Sequence, residues 1–318
     1  MAFKLIILAA LLPVLGCSTR GVGTPPTGQG GRDAPRVTAT AQDGKLAVAR
    51  VNGVELHYLE RGTGEPVVFV HGSLVDYREW EAVAEPLSRA YRTLRYSRRY
   101  NYPNDNRLVG GAHSAAVEAE DLAALIRARG LAPAHIVGVS YGGYTALLLA
   151  LRHPQLVRSL VVVEPPIMPW LPEIPGGAEV SARFFAGMAA PVAAAFRRGD
   201  PEAALRLSLD YFVFPGAMDR LPPAMLGRHR ANLREWEAIT TSSDPFPMIT
   251  PEELRRVNVP VLVISGEKGF EGARLTDPEL ARALPRAERL VIAQGTHDVC
   301  SERPTACEEA IRKFLGSS

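Results

Sequence analysis

The sequence predicts an α/β protein with a mostly parallel sheet, helices on both faces of that sheet and an inserted helical lid. Short continuous apolar runs, typical of strands buried on both faces, alternate with helix-forming segments. This alternation stops between Pro165 and Pro260, where helical stretches occur without any buried-strand signal. Several of the apolar runs end in short motifs rich in glycine and polar residues, and ligands bind at the carboxyl ends of parallel strands.

Length and composition permit a large core and exclude a strong electrostatic attraction to nucleic acid. The chain has 318 residues, of which 47% are hydrophobic, and its formal net charge is +2. A charge this small selects neither nucleic acid nor acidic partners. One basic run is interpreted as a solvated face around a strand: Arg89, Arg92, Arg95, Arg98 and Arg99. No cluster of cysteine and histidine has metal-ligand spacing, so we expect neither a metal nor a cofactor.

The first 44 residues have the composition of an export signal and a tether. Residues 1–16 combine the positive Lys4 with a short apolar run, which predicts a signal peptide. Gly16 before Cys17 resembles a bacterial lipobox, in which the cysteine is lipidated and becomes the mature N-terminus. Residues 17–44 are rich in Gly, Pro, Thr and Ser, as in a flexible tether. We expect an exported protein anchored to the membrane by Cys17, facing the periplasm or cell exterior; an ordinary cleaved signal peptide is the alternative.

Residues 45–164 form the first part of the predicted core. A hairpin over 46–50 and 54–59 turns at Asn52-Gly53, a strong turn dipeptide. Further strands are predicted at 66–70, 91–96, 136–139 and 160–163, with helices at 79–90, 114–129 and 144–151. Ser114 is the predicted cap of the second of these helices.

Residues 165–259 form the predicted lid, and residues 260–318 complete the core. The lid contains helical stretches at 179–197, 201–212 and 222–239 and several aromatic residues that look exposed, including Trp170, Phe184, Phe185, Phe212 and Trp236. The core resumes with strands at 261–264 and 289–292 and helices at 278–284 and 304–315. Cys300 and Cys307 are either a disulfide or two buried free thiols, since spacing alone does not decide between them.

Three motifs carry the chemistry, and each follows a predicted strand. They are His71-Gly72-Ser73, Gly138-Val139-Ser140-Tyr141-Gly142 and Gly295-Thr296-His297-Asp298. In this order they resemble the α/β-hydrolase fold family, over residues 46–315. The resemblance implies a mostly parallel sheet of the eight-stranded type, and the lidded serine hydrolases are the most similar members.

The resemblance also implies roles for individual residues. Ser140 corresponds to the nucleophile, at a tight strand-to-helix turn, and His297 to its general base. The backbone N–H groups of Tyr141 and Ser73 correspond to the oxyanion hole. The remaining histidines are interpreted as structural: His57, His71, His113, His135, His153 and His229.

The acid that orients the histidine departs from the common family pattern. Many members have Gly-x-x-Asp after the strand that follows the lid, whereas this chain has Gly266-Glu267-Lys268-Gly269. We favour Glu164, because a charged residue that ends a run of valines needs a buried partner. Glu267 and Glu271 remain the alternatives, and Asp298 is excluded because it adjoins the base and would point away from it.

These residues predict a serine hydrolase that cleaves a small, partly apolar ester through an acyl-enzyme. An esterase or lactonase fits best, because relatives that cleave carbon–halogen bonds or epoxides carry an aspartate in place of Ser140. Cofactor-free perhydrolysis, as in haloperoxidase-like members, is an alternative with peroxide as acyl acceptor. A non-catalytic hydrolase-fold binding protein is the other alternative.

Overall fold

The computed structural model describes residues 44–109 and 111–317. The predicted signal peptide, the lipidation site at Cys17 and nearly all of the tether lie outside the described residues. The described part contains an eight-stranded sheet in the order β1-β2-β4-β3-β5-β6-β7-β8. The strands are β1 (Leu46–Val51), β2 (Val54–Arg61), β3 (Pro66–Val70), β4 (Arg92–Tyr96), β5 (Ala134–Val139), β6 (Val157–Val163), β7 (Val261–Gly266) and β8 (Ala287–Ile292).

Strand β2 is antiparallel to both of its neighbours, β1 and β4. All the remaining neighbouring strands of the sheet are parallel to one another. The hairpin between β1 and β2 turns at Asn52 and Gly53, which have φ values of 47° and 76°. Positive φ at both central positions is the requirement of a tight hairpin turn that matches strand twist. The predicted mostly parallel sheet with helices is confirmed.

The described helices divide between the two faces of the sheet and the lid. They are α1 (Glu81–Leu87), α2 (Ala115–Ala128), α3 (Tyr141–Arg152), α4 (Gly177–Phe184), α5 (Ala190–Arg197), α6 (Pro201–Phe212), α7 (Pro223–Ala231), α8 (Leu233–Thr240), α9 (Pro251–Leu254), α10 (Glu271–Ala283), α11 (Val299–Glu302) and α12 (Pro304–Leu315). Helices α1 and α12 bury apolar side chains with one set of alternating strand residues, and α2, α3 and α10 with the other. The strand side chains alternate between these two clusters, as the period of two in a strand requires.

The lid differs in detail from the sequence-based expectation. A π-helical turn, Phe185–Ala189, joins α4 to α5, and Asn232 separates α7 from α8 where one helix was predicted. Several aromatics that look exposed in the sequence are buried, since Trp170, Phe184 and Trp236 are each at most 8% exposed. Phe185 and Phe212 do remain exposed. Trp170, Phe184 and Trp236 therefore belong to the large hydrophobic cluster of the protein.

The last third of the chain shows where one predicted helix begins and whether Cys300 and Cys307 are bonded. The prediction that a helix begins at Pro278 is wrong, because α10 begins at Glu271 and contains Pro278 in its interior. A disulfide joins Cys300 of α11 to Cys307 of α12. Within the described residues, no helix is both long and apolar enough to cross a bilayer.

Candidate active site

Ser140 lies at a sharp turn between β5 and α3, in a strained backbone conformation. Its φ is 50° and its ψ is −126°, in a region that non-glycine residues rarely adopt. A Cβ atom on Gly138 would lie 2.5 Å from the carbonyl oxygen of Gly142, and one on Gly142 would lie 2.4 Å from the carbonyl oxygens of Val70 and His71. Only glycine fits at either position, so the turn holds the serine above the sheet edge.

The Ser140 hydroxyl is available at this edge. The residue is partly exposed, and its side chain makes no hydrogen bond with any residue of the described chain. Its backbone N–H donates to the carbonyl oxygen of Val163 at 2.8 Å, so Ser140 lies beside the end of β6. The next residue after that strand is Glu164.

Glu164 and His297 are brought together across 133 residues of sequence. The Nδ1 atom of His297 lies 2.7 Å from Oε2 of Glu164. The Glu164 side chain is fully buried, whereas the imidazole is 29% exposed. Glu164 also accepts backbone hydrogen bonds from Gly266 at 2.8 Å and from Phe270 at 3.0 Å. The carboxylate is thus fixed by three donors, with Nδ1–H of His297 as the third.

The structure explains why glycine replaces the acid that the common pattern places after β7. A Cβ atom on Gly269 would lie 1.6 Å from Oε1 of Glu164. The carboxylate of Glu164 therefore occupies the space that a side chain at position 269 would need. The two positions exclude one another, and a larger residue at 269 would displace Glu164.

The two alternative carboxylates have other partners. Glu267 is exposed and accepts hydrogen bonds from the backbone and side-chain nitrogens of Gln294, at 2.8 and 2.9 Å. Glu271 is exposed and pairs with Arg183 of the lid at 2.6 Å. Asp298 is exposed as well. None of these three makes a hydrogen bond to His297 within the described chain.

The environment of His297 favours its protonated form. Burial opposes protonation, but the hydrogen bond to Glu164 and the negative charges of Glu164, Asp298 and Glu79 together raise the pKa of His297 above its usual 6.5. An imidazole with a raised pKa accepts a proton more readily, which suits a general base that becomes positively charged during the reaction.

Two backbone N–H groups near Ser140 have no acceptor among the residues that the structure describes. They belong to Ser73, in the loop after β3, and to Tyr141, the first residue of α3. The loop after β3 adjoins the serine, because a Cβ atom on Gly72 would lie 3.4 Å from Cβ of Ser140. Free N–H groups at the start of a helix can bind a negative oxygen.

His71 takes part in this loop as a neutral residue. Burial, aided by the charge of Arg98, lowers the pKa of His71 to about 3. Its Nδ1 lies 2.8 Å from the carbonyl oxygen of Gly72, and its Nε2 accepts the backbone N–H of Arg98 at 3.0 Å. The imidazole therefore links two loops of the core.

The sequence does not predict the contacts that three charged residues make around this loop. Glu79 accepts the N–H of Gly72 at 2.7 Å, and burial raises its pKa to about 7. Arg98, interpreted from sequence as part of a solvated face, has a fully buried side chain paired with the equally buried Glu235 of the lid at 2.5 Å. No spacing pattern points to the pair of Arg98 and Glu235, since the two residues are 137 positions apart in the chain.

No group of three His, Cys, Asp or Glu side chains suited to hold a metal ion occurs within the described ranges. The site contains a strained serine, a histidine paired with a buried carboxylate, and two backbone N–H groups that have no acceptor among the described residues. Fold and site together define a hydrolase of the α/β type.

Comparison with known proteins gives the same class. The alpha/beta hydrolase family matches residues 67–310, and the chain belongs to this family. It is 29% identical to a putative non-heme bromoperoxidase, BpoC, from Mycobacterium tuberculosis, over 83% of this chain and 98% of the relative.

Solved structures of the same fold include two that act on esters or lactones. A thermophilic esterase from Thermogutta terrifontis has a TM-score of 0.67 at 22% identity, over 86% of this chain and 98% of that one. The enol-lactonase from Burkholderia xenovorans has a TM-score of 0.68 at 22% identity, over 85% and 99%. The chain is thus an enzyme of the alpha/beta hydrolase family.

Proposed function

We propose that this enzyme is a serine hydrolase that cleaves a small, partly apolar carboxylic ester through an acyl-enzyme. The observation that carries the proposal is the 2.7 Å contact between His297 and the buried Glu164, at the same sheet edge as the strained Ser140. An ester with an apolar group is favoured because the ring of Phe270 lies beside His297, with centroids 6.1 Å apart.

The reaction follows from the chemistry of these groups. His297 Nε2 removes the proton of Ser140 as Oγ attacks the ester carbonyl, and Glu164 holds Nδ1–H and stabilises the imidazolium. The N–H groups of Ser73 and Tyr141 stabilise the oxyanion of the tetrahedral intermediate. His297 then protonates the leaving alcohol. Water, deprotonated by His297, attacks the acyl-enzyme and releases the acid and free Ser140.

The Ser140 hydroxyl makes no hydrogen bond to His297 in this structure, which is common in enzymes without substrate. The nucleophilicity of Ser140 can be measured by its reaction with an electrophile. A fluorophosphonate probe should label the wild type and the control Ser301→Ala, whose serine is exposed, but not Ser140→Ala. Peptide mapping should place the label on Ser140. Labelling at another residue, or equal labelling of Ser140→Ala, would refute the proposal.

The substrate class can be measured with the same proteins. p-Nitrophenyl esters of graded chain length, together with lactones, should be hydrolysed by the wild type and not by Ser140→Ala. We expect short and medium acyl chains to be preferred. Failure to hydrolyse any ester, combined with a lack of fluorophosphonate labelling, would favour a non-catalytic binding protein.

A second candidate activity is perhydrolysis, which the similarity to a putative non-heme bromoperoxidase favours. Hydrogen peroxide would replace water as the acyl acceptor: it attacks the acyl carbonyl, the bond to Ser140 Oγ breaks, and a peracid is released. The peracid would oxidise bromide to hypobromous acid and return to the carboxylic acid, so bromination of a dye in the presence of acetate, peroxide and bromide should depend on Ser140. Bromination that survives Ser140→Ala would exclude this route.

We further propose that the enzyme is exported and anchored by a lipidated Cys17. The support is the sequence of residues 1–17. Cys17→Ala should abolish metabolic labelling of the protein with a radiolabelled fatty acid, and globomycin should make a larger, uncleaved precursor accumulate. Fatty-acid labelling that survives Cys17→Ala would contradict the anchor.

A further inference from the structure

Leu74, the residue after Ser73, is bound by the lid at both of its backbone groups. Its N–H donates to Oε2 of Glu235 at 3.0 Å, and its carbonyl oxygen lies 3.2 Å from Nδ1 of His229. Both side chains belong to the lid, which is more than 150 residues away in sequence. Leu74 has φ of 62°, a conformation that costs energy for leucine and persists only where neighbouring contacts impose it.

The same lid carboxylate holds Arg98, and Arg98 holds the loop. Oε1 of Glu235 accepts from Nη2 of Arg98 at 2.5 Å, and that nitrogen also donates to the carbonyl oxygen of Gly72 at 3.0 Å. Nε of Arg98 donates to the carbonyl oxygen of His71 at 3.2 Å. Glu118 of α2 lies 3.4 Å from the guanidinium on its other side. The side chains of Arg98, Glu118 and Glu235 are all completely buried.

The bond from Arg98 to Gly72 bears directly on the oxyanion donor. The carbonyl of Gly72 and the N–H of Ser73 belong to one peptide unit, which is planar, so the two groups point in opposite directions. Fixing the direction of the Gly72 carbonyl therefore fixes the direction of the Ser73 N–H. Glu235 bonds to Leu74 on one side of that peptide unit and restrains Arg98 on the other.

We propose that Glu235 is a positioning residue, through which the docked lid orients the Ser73 N–H toward the reacting oxyanion. The inference rests on the proposed hydrolase function and deepens it, because it makes the lid part of the catalytic arrangement as well as a cover. Other lid contacts to the same region support a fixed docked state. Asn232 donates to Asp76 at 3.0 Å and accepts the N–H of Tyr102 at 2.9 Å.

The test compares Glu235→Ala with Glu235→Gln and with a matched lid control. Alanine removes both bonds, whereas glutamine can still accept the Leu74 N–H but loses the charge that restrains Arg98. Arg234→Ala is the control, because Arg234 also joins α8 to the core, through Asp105 at 2.7 Å, but at an exposed position. Circular dichroism and thermal unfolding establish that each variant is folded at the assay temperature.

We expect Glu235→Ala to lower kcat for a p-nitrophenyl ester by about 10²-fold, the usual effect of losing one oxyanion donor, with KM changed less than about threefold. Binding of a trifluoromethyl ketone, whose adduct with Ser140 carries an oxyanion, should weaken in proportion. Glu235→Gln should lose about tenfold in kcat, because one of the two bonds remains. Arg234→Ala should retain wild-type kcat within about twofold.

A folded Glu235→Ala enzyme with kcat within about threefold of the wild type would overturn the proposal. If that variant does not fold, a folded Glu235→Gln with wild-type kcat and wild-type ketone binding would overturn it equally. A loss expressed in KM alone would assign Glu235 to substrate binding and would also contradict the positioning role. Failure of the proposed function itself is separable, because the wild type would then neither label with fluorophosphonate nor hydrolyse any ester.

Discussion

The turn that carries Ser140 and the loops that surround it reach the same sheet edge by different physical means. The turn is built from backbone: Gly138 and Gly142 allow close approach of neighbouring main-chain atoms, and the strand and helix on either side fix its direction. The surrounding loops are held by side chains from distant segments. Glu235 accepts a hydrogen bond from the backbone N–H of Leu74, and Glu164 accepts one from the backbone N–H of Phe270. Local sequence specifies the first arrangement, and tertiary structure specifies the second.

This difference decides what could be predicted from sequence. The strands, the hairpin turn at Asn52-Gly53 and the cap at Ser114 follow from short-range patterns, and the structure contains them. The pairing of Glu164 with His297 was predictable from sequence, because a carboxylate at the end of a run of valines needs a buried partner. The burial of Arg98 was not, since its partner Glu235 lies 137 residues away. An arginine-rich run that looks solvated can thus contain a completely buried charge.

The largest effect is expected from the acid beside His297. Glu164→Gln should lower kcat by about 10³–10⁴-fold, because a neutral amide neither stabilises the imidazolium nor enforces the tautomer with a proton on Nδ1. Glu267→Gln is the matched control, an exposed carboxylate on the neighbouring loop, and should change kcat less than about threefold. Steady-state kinetics on a p-nitrophenyl ester would check both variants. The opposite ranking would show that the acid comes from the loop after β7.

A substitution that distorts the turn at Ser140 should lower both the activity and the stability of the enzyme. In Gly142→Ala the added Cβ would overlap the carbonyl oxygens of Val70 and His71, so the turn must shift. We expect about a 10²-fold loss in kcat from the displaced serine, and about 3 kcal/mol less free energy of unfolding.

Gly227→Ala serves as the control for the turn, because a Cβ at that helical position would meet nothing within 4 Å. It should stabilise the protein by about 0.5–1 kcal/mol and leave kcat unchanged. Urea unfolding and steady-state kinetics measure both quantities. Wild-type activity in Gly142→Ala would contradict the account of a turn specified by close backbone contacts.

A smaller effect should appear in the pH profile when Glu79 is neutralised. We expect kcat/KM to fall as the pH drops through the raised pKa of His297, because the proposed general base must be neutral to accept a proton. Glu79→Gln can still accept the Gly72 N–H. It removes the fraction of negative charge that Glu79, with a pKa of about 7, carries near neutral pH and that raises the pKa of His297. The acidic limb of the kcat/KM profile should therefore move to lower pH. Glu81→Gln, an exposed carboxylate two residues later, should leave the limb in place; an unmoved or upward-moved limb in Glu79→Gln would contradict the prediction.

The disulfide at Cys300, three residues after His297 in the sequence, should contribute to stability and hardly to catalysis. Cys300 and Cys307 close a short loop, with a sequence separation of seven residues. Replacing both cysteines with serine should lower the free energy of unfolding by about 2 kcal/mol and leave kcat within about twofold. Denaturant unfolding with and without reductant checks the first value. A tenfold loss of kcat would mean that the disulfide helps to position His297.

A crystal structure of the protein inhibited with a fluorophosphonate would show whether the turn at Ser140 and the loop after β3 meet around one oxyanion. We expect a phosphonyl group bonded to Ser140 Oγ, with its oxygen about 2.7–3.1 Å from the backbone nitrogens of both Ser73 and Tyr141. A phosphonyl group on another residue, or an oxygen on Ser140 that contacts neither nitrogen, would contradict it.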